Sequence, residues 1–493
     1  MTRLLVREKT CSSTPVSSAS RLIIDSRDYY RAFCREAARA SRSILIAGWQ
    51  FDSQVELLRG DDASAALGPT TFLAFLEALC RDNPALSVCI LAWDYSPVFA
   101  MEREWWQRVT FDWTTPENLR FRFDSEHALG ASHHQKFVVI DGDIAFAGGI
   151  DFASARWDDR DHRAQNPLRF ERGEPQKPYH DVMAFVAGEA AAELERLFER
   201  RWLAGTGEEL ALPARREAAL EPLVSEGLEI AAGEVGISCT MARGIDEKIE
   251  AEVLRLYEAA IAEAEQLIYI ETQYFTAQVV HDALVRRMRQ RGRAPLQVVM
   301  VVPNGADTEK ERLVLGGTQD RLLASLAETA EATGTLLRVY SSLASGGEAA
   351  KVATFIHSKL LIVDNRLLCV GSANLTNRSL LLDTELCLAW EVTDKTPELA
   401  RSIERVRAEL LAEHAGLPVE PEFFRIEGLV GRLDELRAAG KIRLIPREPC
   451  GGDSDPALRL ERLFDPDKPL DQLEFGELIS FQTVDHRPAE ERG

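Results

Sequence analysis

The stretch "SHHQKFVVID" at residues 132–141 returns as "FIHSKLLIVD" at 355–364, so that His134, Lys136 and Asp141 are answered by His357, Lys359 and Asp364. The surroundings repeat as well. "SRSILIAGWQFDS" (41–53) resembles "AEQLIYIETQYFT" (264–276), "LSVCILAWD" (86–94) resembles "LQVVMVVPN" (296–304), and "LRFRF" (119–123) resembles "LLRVY" (336–340). From Gln50 to His134 is 84 residues, and from Gln273 to His357 again 84. A spacing held over that length, with the same kinds of segment in the same order, predicts two copies of one folding unit.

The order within each copy is strand, helix, strand, helix, strand, hairpin. Helical periodicity covers 28–41, 70–81, 246–264, 281–291 and 397–414; in the third, Ile249, Val253, Leu256, Tyr257 and Ala260 form one apolar stripe. Short, nearly all-apolar strands alternating with such helices predict an α/β protein of two pseudo-symmetric lobes, each a mixed sheet covered by helices on both faces. A chain of 493 residues exceeds one ordinary core and agrees with two lobes. The expected boundaries are a flexible N-terminus at 1–19, a first lobe at 20–204, an interlobe linker at 205–236, a second lobe at 237–416 and a C-terminal extension at 417–493 with no assigned role.

A net charge of −21 disfavours binding to polyanions, which excludes broad affinity for nucleic acid or anionic membranes but not a local basic pocket. The eight cysteines form no CxxC pair, and several sit in apolar runs, as reduced thiols in a core do. No signal peptide and no apolar run of ~18 residues is present, so a cytoplasmic chain without a transmembrane segment is expected, peripheral to membranes at most.

In a strand, residues two apart share a face, so His134 points with Lys136 and His357 with Lys359. Asp141 and Asp364 fall at the hairpin turns after the apolar runs and are expected to hold backbone geometry. Each hairpin returns to a glycine loop, Gly148-Gly149 and Gly371-Ser372, where backbone N–H groups could approach an anion. Asp151 and Asn374 then occupy matched positions. A lone histidine on an apolar strand is usually structural; two matched copies meeting at a pseudo-two-fold axis place two imidazoles and two ammonium groups around one point. That set suits a phosphodiester: lysines hold the oxygens, one histidine attacks phosphorus, and the other protonates the leaving group. Zinc is a poor fit, because only His133 and His134 are close neighbours and no Cys/His ligand spacing occurs.

The doubled HxKxxxxD followed by GG or GS resembles the signature of the phospholipase D superfamily. "SHHQK", "AFAGGIDFASARWDD", "PYHDVMAFVAGEAA…FERRW", "YIETQYF" and "GSANLTNRSLLLDTE" narrow the resemblance to phosphatidylcholine-hydrolysing members, over roughly residues 40 to 390. The resemblance implies that His134 is the nucleophile and forms a phosphohistidine, that His357 is the general acid and later activates water, and that Lys136, Lys359 and Asn374, with Ser372 beside them, bind phosphate. It implies no cofactor and no metal. An imidazole in either role needs its other nitrogen held by an acceptor. Glu385 is the best match for His357 or its partner, and Asp158, with Asp159 close behind, is the candidate in the first copy. Asp151 is left an orienting role, since a carboxylate cannot donate to phosphate. His180 and Asp181 in "YHD" fit either an orienting role or core packing.

The implied activity is hydrolysis of the distal phosphodiester of a phosphatidylcholine-like glycerophospholipid to phosphatidate and free alcohol, with transphosphatidylation as a side reaction. The implied partner is a phospholipid at a membrane surface, not nucleic acid. One chain carries both motif copies, so a monomer is expected. The membrane-targeting domains of eukaryotic relatives are not found before the catalytic core, which argues against calcium or phosphoinositide regulation. Tyr95, Phe99, Trp105, Trp106, Phe111 and Trp113, within 93–113, suit either packing in the first lobe or contact with acyl chains. Alternative readings are a cardiolipin-synthase-like phosphatidyltransferase, a nuclease, and a lipid-binding protein with an idle site.

Overall fold

A computed structural model describes residues 2–94, 115–214, 219–242, 249–305, 315–347, 351–447, 464–466 and 468. Two nine-stranded mixed sheets dominate it. In the first, the strands run Val16–Ile24, Val182–Gly188, Ile144–Gly148, Phe137–Ile140, Ser43–Gly48, Ser87–Trp93, Leu119–Asp124 in spatial order. In the second the same order is kept by Gly236–Met241, Glu385–Glu391, Leu367–Gly371, Leu360–Val363, Leu267–Glu271, Gln297–Val301, Leu336–Ser342. In both, the last three of these strands are parallel to one another and the rest pair antiparallel. The duplication read from spacing is thus a duplication of topology.

The apolar strands are buried on both faces, as sheets between layers must be. Ser26–Ala37 and Phe72–Asp82 flank the first sheet, and Glu252–Glu263 and Gln278–Met288 flank the second. Two further helices, Glu189–Thr206 and Gly317–Thr333, were not expected from periodicity. The first carries "EAAAELERLFERRW", whose buried Leu194, Leu197, Phe198, Arg201 and Trp202 mix a charged residue into the stripe and blur its edge.

One core crosses the seam. Ala145, Ala147, Val182, Ala184 and Val186 of the first lobe belong to the same buried cluster as Leu368, Val370, Leu386, Leu388 and Trp390 of the second. Small side chains on the first-lobe face bring the sheets together. The chain also crosses between lobes as extended backbone. Phe355–Ile356 pairs parallel with Tyr179–His180, and His133 makes a parallel bridge to Thr384.

Three expected boundaries change. Residues 1–19 are not free: Leu4, Leu5 and Cys11 are buried against the second lobe, the N–H groups of Leu4 and Leu5 donate to the Glu391 carboxylate at 2.8 and 2.9 Å, and the first strand begins at Val16. The interlobe segment is partly sheet, since Leu228–Ile230 pairs with the strand Val16–Ile24. The start of the C-terminal extension belongs to the second lobe, where the helix Leu429–Ala438 joins the core and Leu444–Pro446 adds an edge strand. The aromatic candidates Tyr95, Phe99, Trp105, Trp106, Phe111 and Trp113 lie outside the described residues. Among the described residues, no helix is long and apolar enough to cross a membrane.

Candidate active site

Both histidines sit just before a short strand, Phe137–Ile140 or Leu360–Val363, beside the carboxyl ends of the parallel strands Ser43–Gly48 and Leu267–Glu271. In α/β sheets such strand ends form the ligand crevice. His134 N–H donates to Thr384 O at 2.9 Å, and His357 N–H donates to His180 O at 2.8 Å. Each histidine is therefore tied to the other lobe by the residue that precedes a carboxylate.

Those carboxylates complete the exchange. His134 Nδ1 donates to Glu385 Oε1 at 3.0 Å, and His357 Nδ1 donates to Asp181 Oδ2 at 2.6 Å. Glu385 belongs to the second lobe and Asp181 to the first, so each imidazole is oriented from across the seam. Of the two assignments open for Glu385, the structure takes that to His134. For Asp181, left open between an orienting role and core packing, the contact with His357 is the orienting one. The pairing could have been sought in the repeat, because "HD" and "TE" each open a long apolar strand, Val182–Gly188 and Glu385–Glu391.

With Nδ1 engaged, Nε2 is the nitrogen left for chemistry on each ring. His357 is buried, and its proton affinity is lowered well below the ordinary histidine range by burial, then by Lys359, Arg156, Lys136 and His134. The groups that act on it come from both lobes. Lys359 is pushed down to about 7, chiefly by burial, with Asp181 acting in the opposite sense. Burial also raises Asp181 to about 6, against the pull of Lys359.

Lys136 Nζ lies 3.3 Å from Asp151 Oδ2 and 3.0 Å from His134 O, beneath the Trp49 ring. Lys359 Nζ donates to His357 O and lies 3.4 Å from Gln273 Oε1. Asp151 also accepts from Trp49 N–H at 2.9 Å, just past the end of the strand Ser43–Gly48. Its counterpart Asn374 is buried, and its Oδ1 has no hydrogen-bond partner.

Arg156, which sequence reasoning passed over inside "ARWDD", adds a third fixed cation. Its guanidinium stands 5.4 Å from the Tyr179 ring centroid, and Tyr179 in turn lies 5.3 Å from the His357 ring. Its buried Nε makes no hydrogen bond.

The remaining candidates go elsewhere. Ser372, expected on phosphate, donates its hydroxyl to Glu385 Oε2 and accepts from Leu386 N–H at 3.1 Å, so it holds the carboxylate that holds His134. The glycine loops do not offer free N–H groups at these four positions: Gly148 donates to Lys136 O, Gly149 to Val182 O, Gly371 to Lys359 O and Ser372 to Leu386 O, at 3.0–3.1 Å. Glycine is needed for closeness instead, because a Cβ on Gly149 would stand 2.2 Å from Asp181 Oδ1 and one on Gly371 2.3 Å from Leu386 O. Asp158 holds His162 Nδ1 at 3.1 Å and Arg169 at 2.8 Å, and neither His134 nor His357. Asp159 accepts from Asn166 at 3.0 Å. His180 lies in a separate buried cluster with Glu271. Asp141 and Asp364 sit in matched turns, both at φ 54°, and accept the N–H groups of residues 41–43 and 265–267.

Residues 115–281 match the family described as phospholipase D, and residues 257–407 match that described as cardiolipin synthase, PLD-like domain. The chain is 24% identical to phospholipase D A of Dictyostelium discoideum over 80% of its length, but spans only 35% of that protein. It is 26% identical to a cardiolipin synthase of Halalkalibacterium halodurans, covering 53% of this chain and 43% of that one. In fold it is similar to the crystal structure of phosphatidylserine synthase from Haemophilus influenzae, with a TM-score of 0.55 at 14% identity, covering 87% of this chain and 96% of the other. The first match holds His134 and Lys136 and the second holds His357 and Lys359, so the two copies of the repeated motif fall one in each, and the chain belongs to the phospholipase D superfamily.

Proposed function

We propose that this chain is a phosphodiesterase that cleaves the distal phosphodiester of glycerophospholipids through a phosphohistidine. The observation that carries the reading is the reciprocal pairing of His134 with Glu385 and His357 with Asp181, with Lys359, Arg156 and Lys136 acting on His357 from both lobes. Lys136, Lys359 and Arg156 neutralise the non-bridging oxygens, with Asn374 donating its amide. His134 Nε2 attacks phosphorus while the bond to the head-group oxygen breaks, and His357 Nε2 supplies the proton that oxygen needs. Water then gives its proton to His357 and attacks the phosphohistidine, releasing phosphatidate and restoring His134.

In the free protein burial, and then the neighbouring cations, disfavour the charged form of His357. The substrate's negative charge, arriving among those cations, reverses that field and makes the imidazolium stable enough to act as the acid. The same arrival keeps Lys359 protonated. The site is thus armed by its own substrate.

The second reading, transfer of the phosphatidyl group to another lipid's hydroxyl, uses the same first step and is supported by the match of 257–407 and by the Halalkalibacterium relative. Rapid acid quench with labelled phosphatidylcholine is expected to yield a phosphorylated peptide containing His134. A phosphopeptide containing only His357 would exchange the two roles, and none at all would remove the covalent route. Free glycerol from phosphatidylglycerol supports the hydrolase, whereas cardiolipin supports the transferase.

A further inference from the structure

Behind Asp181, away from the reacting atoms, lies a second polar cluster that the chemistry above does not use. Asp25, His162 and His180 enter it from the first lobe, and Glu271, Glu413 and His414 from the second; all six are buried. His162 Nε2 is 3.3 Å from Asp25 Oδ2 and 3.2 Å from Glu413 Oε1. His180 Nδ1 is 3.3 Å from Asp25 Oδ1 and 3.0 Å from the same Glu413 Oε1. One donor atom from each of Asp25, His162, His180 and Glu413 therefore lies within 4.8 Å of every other.

Separations of 3.0–3.3 Å are close to the edge of a coordination tetrahedron, roughly 3.3 Å when ligands stand ~2.0–2.1 Å from the centre, with the two histidines facing different oxygens of Asp25. Two of the atoms sit at ion-pair distance without a hydrogen bond. Asp25 Oδ2 and His180 Nδ1 are fully buried and make no hydrogen bond, although oxygens surround the nitrogen at hydrogen-bond distance. Of these contacts, His162 Nε2 to Glu413 Oε1 lines up as a hydrogen bond, whereas the others crowd together without doing so, as ligands directed at a shared centre do.

The outer nitrogens are dressed in the same sense. His162 Nδ1 donates to Asp158 Oδ2 at 3.1 Å, and His180 Nε2 donates to Glu271 Oε2 at 3.1 Å. A carboxylate behind each imidazole sets its tautomer and strengthens it as a ligand. Asp158 is itself held by Arg169 and by Tyr179 N–H, and Glu271 by Tyr269, Ser358 and His414. An open cleft of about 700 Å³, lined in part by Arg160, Glu413 and Arg443, reaches the cluster from outside.

We propose that Asp25, His162, His180 and Glu413 bind one divalent cation of the zinc class across the seam between the lobes. Two carboxylates and two neutral imidazoles leave a charge that such a cation cancels, and four protein ligands close the site to substrate, so the role is structural. It bears on the reaction through one link. His180 accepts the backbone N–H of His357 and is followed by Asp181, so the cation pins the segment that aims the second imidazole. No local spacing announces such a site, because positions 25, 162, 180 and 413 meet only when both lobes close.

The test uses the full chain prepared without a metal-binding tag. Elemental analysis is expected to give about one zinc per chain, and X-ray absorption to show two imidazole nitrogens and two oxygens. Removing the metal with a chelator is expected to lower the melting temperature, and zinc alone to restore it. Glu413→Gln and His162→Gln are each expected to lose the metal; if either fails to fold, the absorption spectrum and the chelation series on the wild-type chain still decide. A folded, metal-free chain indifferent to chelator and zinc would overturn the proposal and leave a proton-charged ion network. Sulfur in the first coordination sphere, or a variant that keeps its zinc, would overturn it equally.

Discussion

Glu385 and Asp181 accept the Nδ1 protons of histidines that lie in the opposite lobe, and this sets the tautomer on which both proposed roles depend. Glu385→Gln preserves volume but offers a neutral amide to Nδ1. We expect kcat on phosphatidylcholine to fall by roughly 10²–10⁴ with little change in melting temperature; an unchanged rate would separate Glu385 from the chemistry. Lys359 gives a pH test. Its ammonium, pushed down to about 7, is present below that pH and lost above it, so binding of an anion that needs it weakens as pH rises. Dimethyl phosphate, whose charge is constant in this range, is expected to bind up to about tenfold more weakly per pH unit above 7. Calorimetric titration from pH 6 to 9 checks this, with Lys359→Gln removing the dependence. The histidines and lysines were legible because their spacing repeats. Arg156 was not, and for Asp181 and Glu385 the sequence left two readings each, because a contact across the seam leaves no local period.

The short strands and their turns explain what the glycine pairs do. Gly148 and Gly371 end the strands Ile144–Gly148 and Leu367–Gly371, and their neighbours approach too closely for a side chain. Gly149→Ala is expected to drive a methyl into the Asp181 carboxylate, cost roughly 1–3 kcal/mol, and turn His357 off its hydrogen bond. Thermal unfolding and turnover measured together check it: a stability loss without a rate loss would show that Asp181 relaxes freely. Reading the loops as anion cradles was reasonable from composition, since glycine serves both purposes. Only the register decides, and here these N–H groups are taken by strand and turn partners. The elements themselves were legible wherever the apolar period was clean, as in Glu252–Glu263, and were missed where charged residues enter the buried face, as in Glu189–Thr206.

At the scale of the molecule, lobe and site are one object. The buried cluster that joins the sheets also carries the strands that deliver Asp181 and Glu385. Residues 1–235 and 236–447 expressed separately are therefore each expected to show no turnover of phosphatidylcholine, and mixing them to restore it only as far as they reassociate. Activity in either fragment alone would contradict the reciprocal site. The two-lobe plan was readable from the 84-residue spacing, whereas the docking of Leu4, Leu5 and Cys11 onto the second lobe was not, because three apolar residues in a polar leader carry no period.

The swapped carboxylates have a consequence for the single copy. A unit that lends its acid to a neighbour and borrows one back completes neither imidazole–carboxylate pair by itself, so a single copy would need a second copy of itself to do so. Two copies on one chain need not be identical. That freedom is already written in the sequence, where aspartate faces asparagine at 151 and 374, and where one imidazole leans on a glutamate while its twin leans on an aspartate.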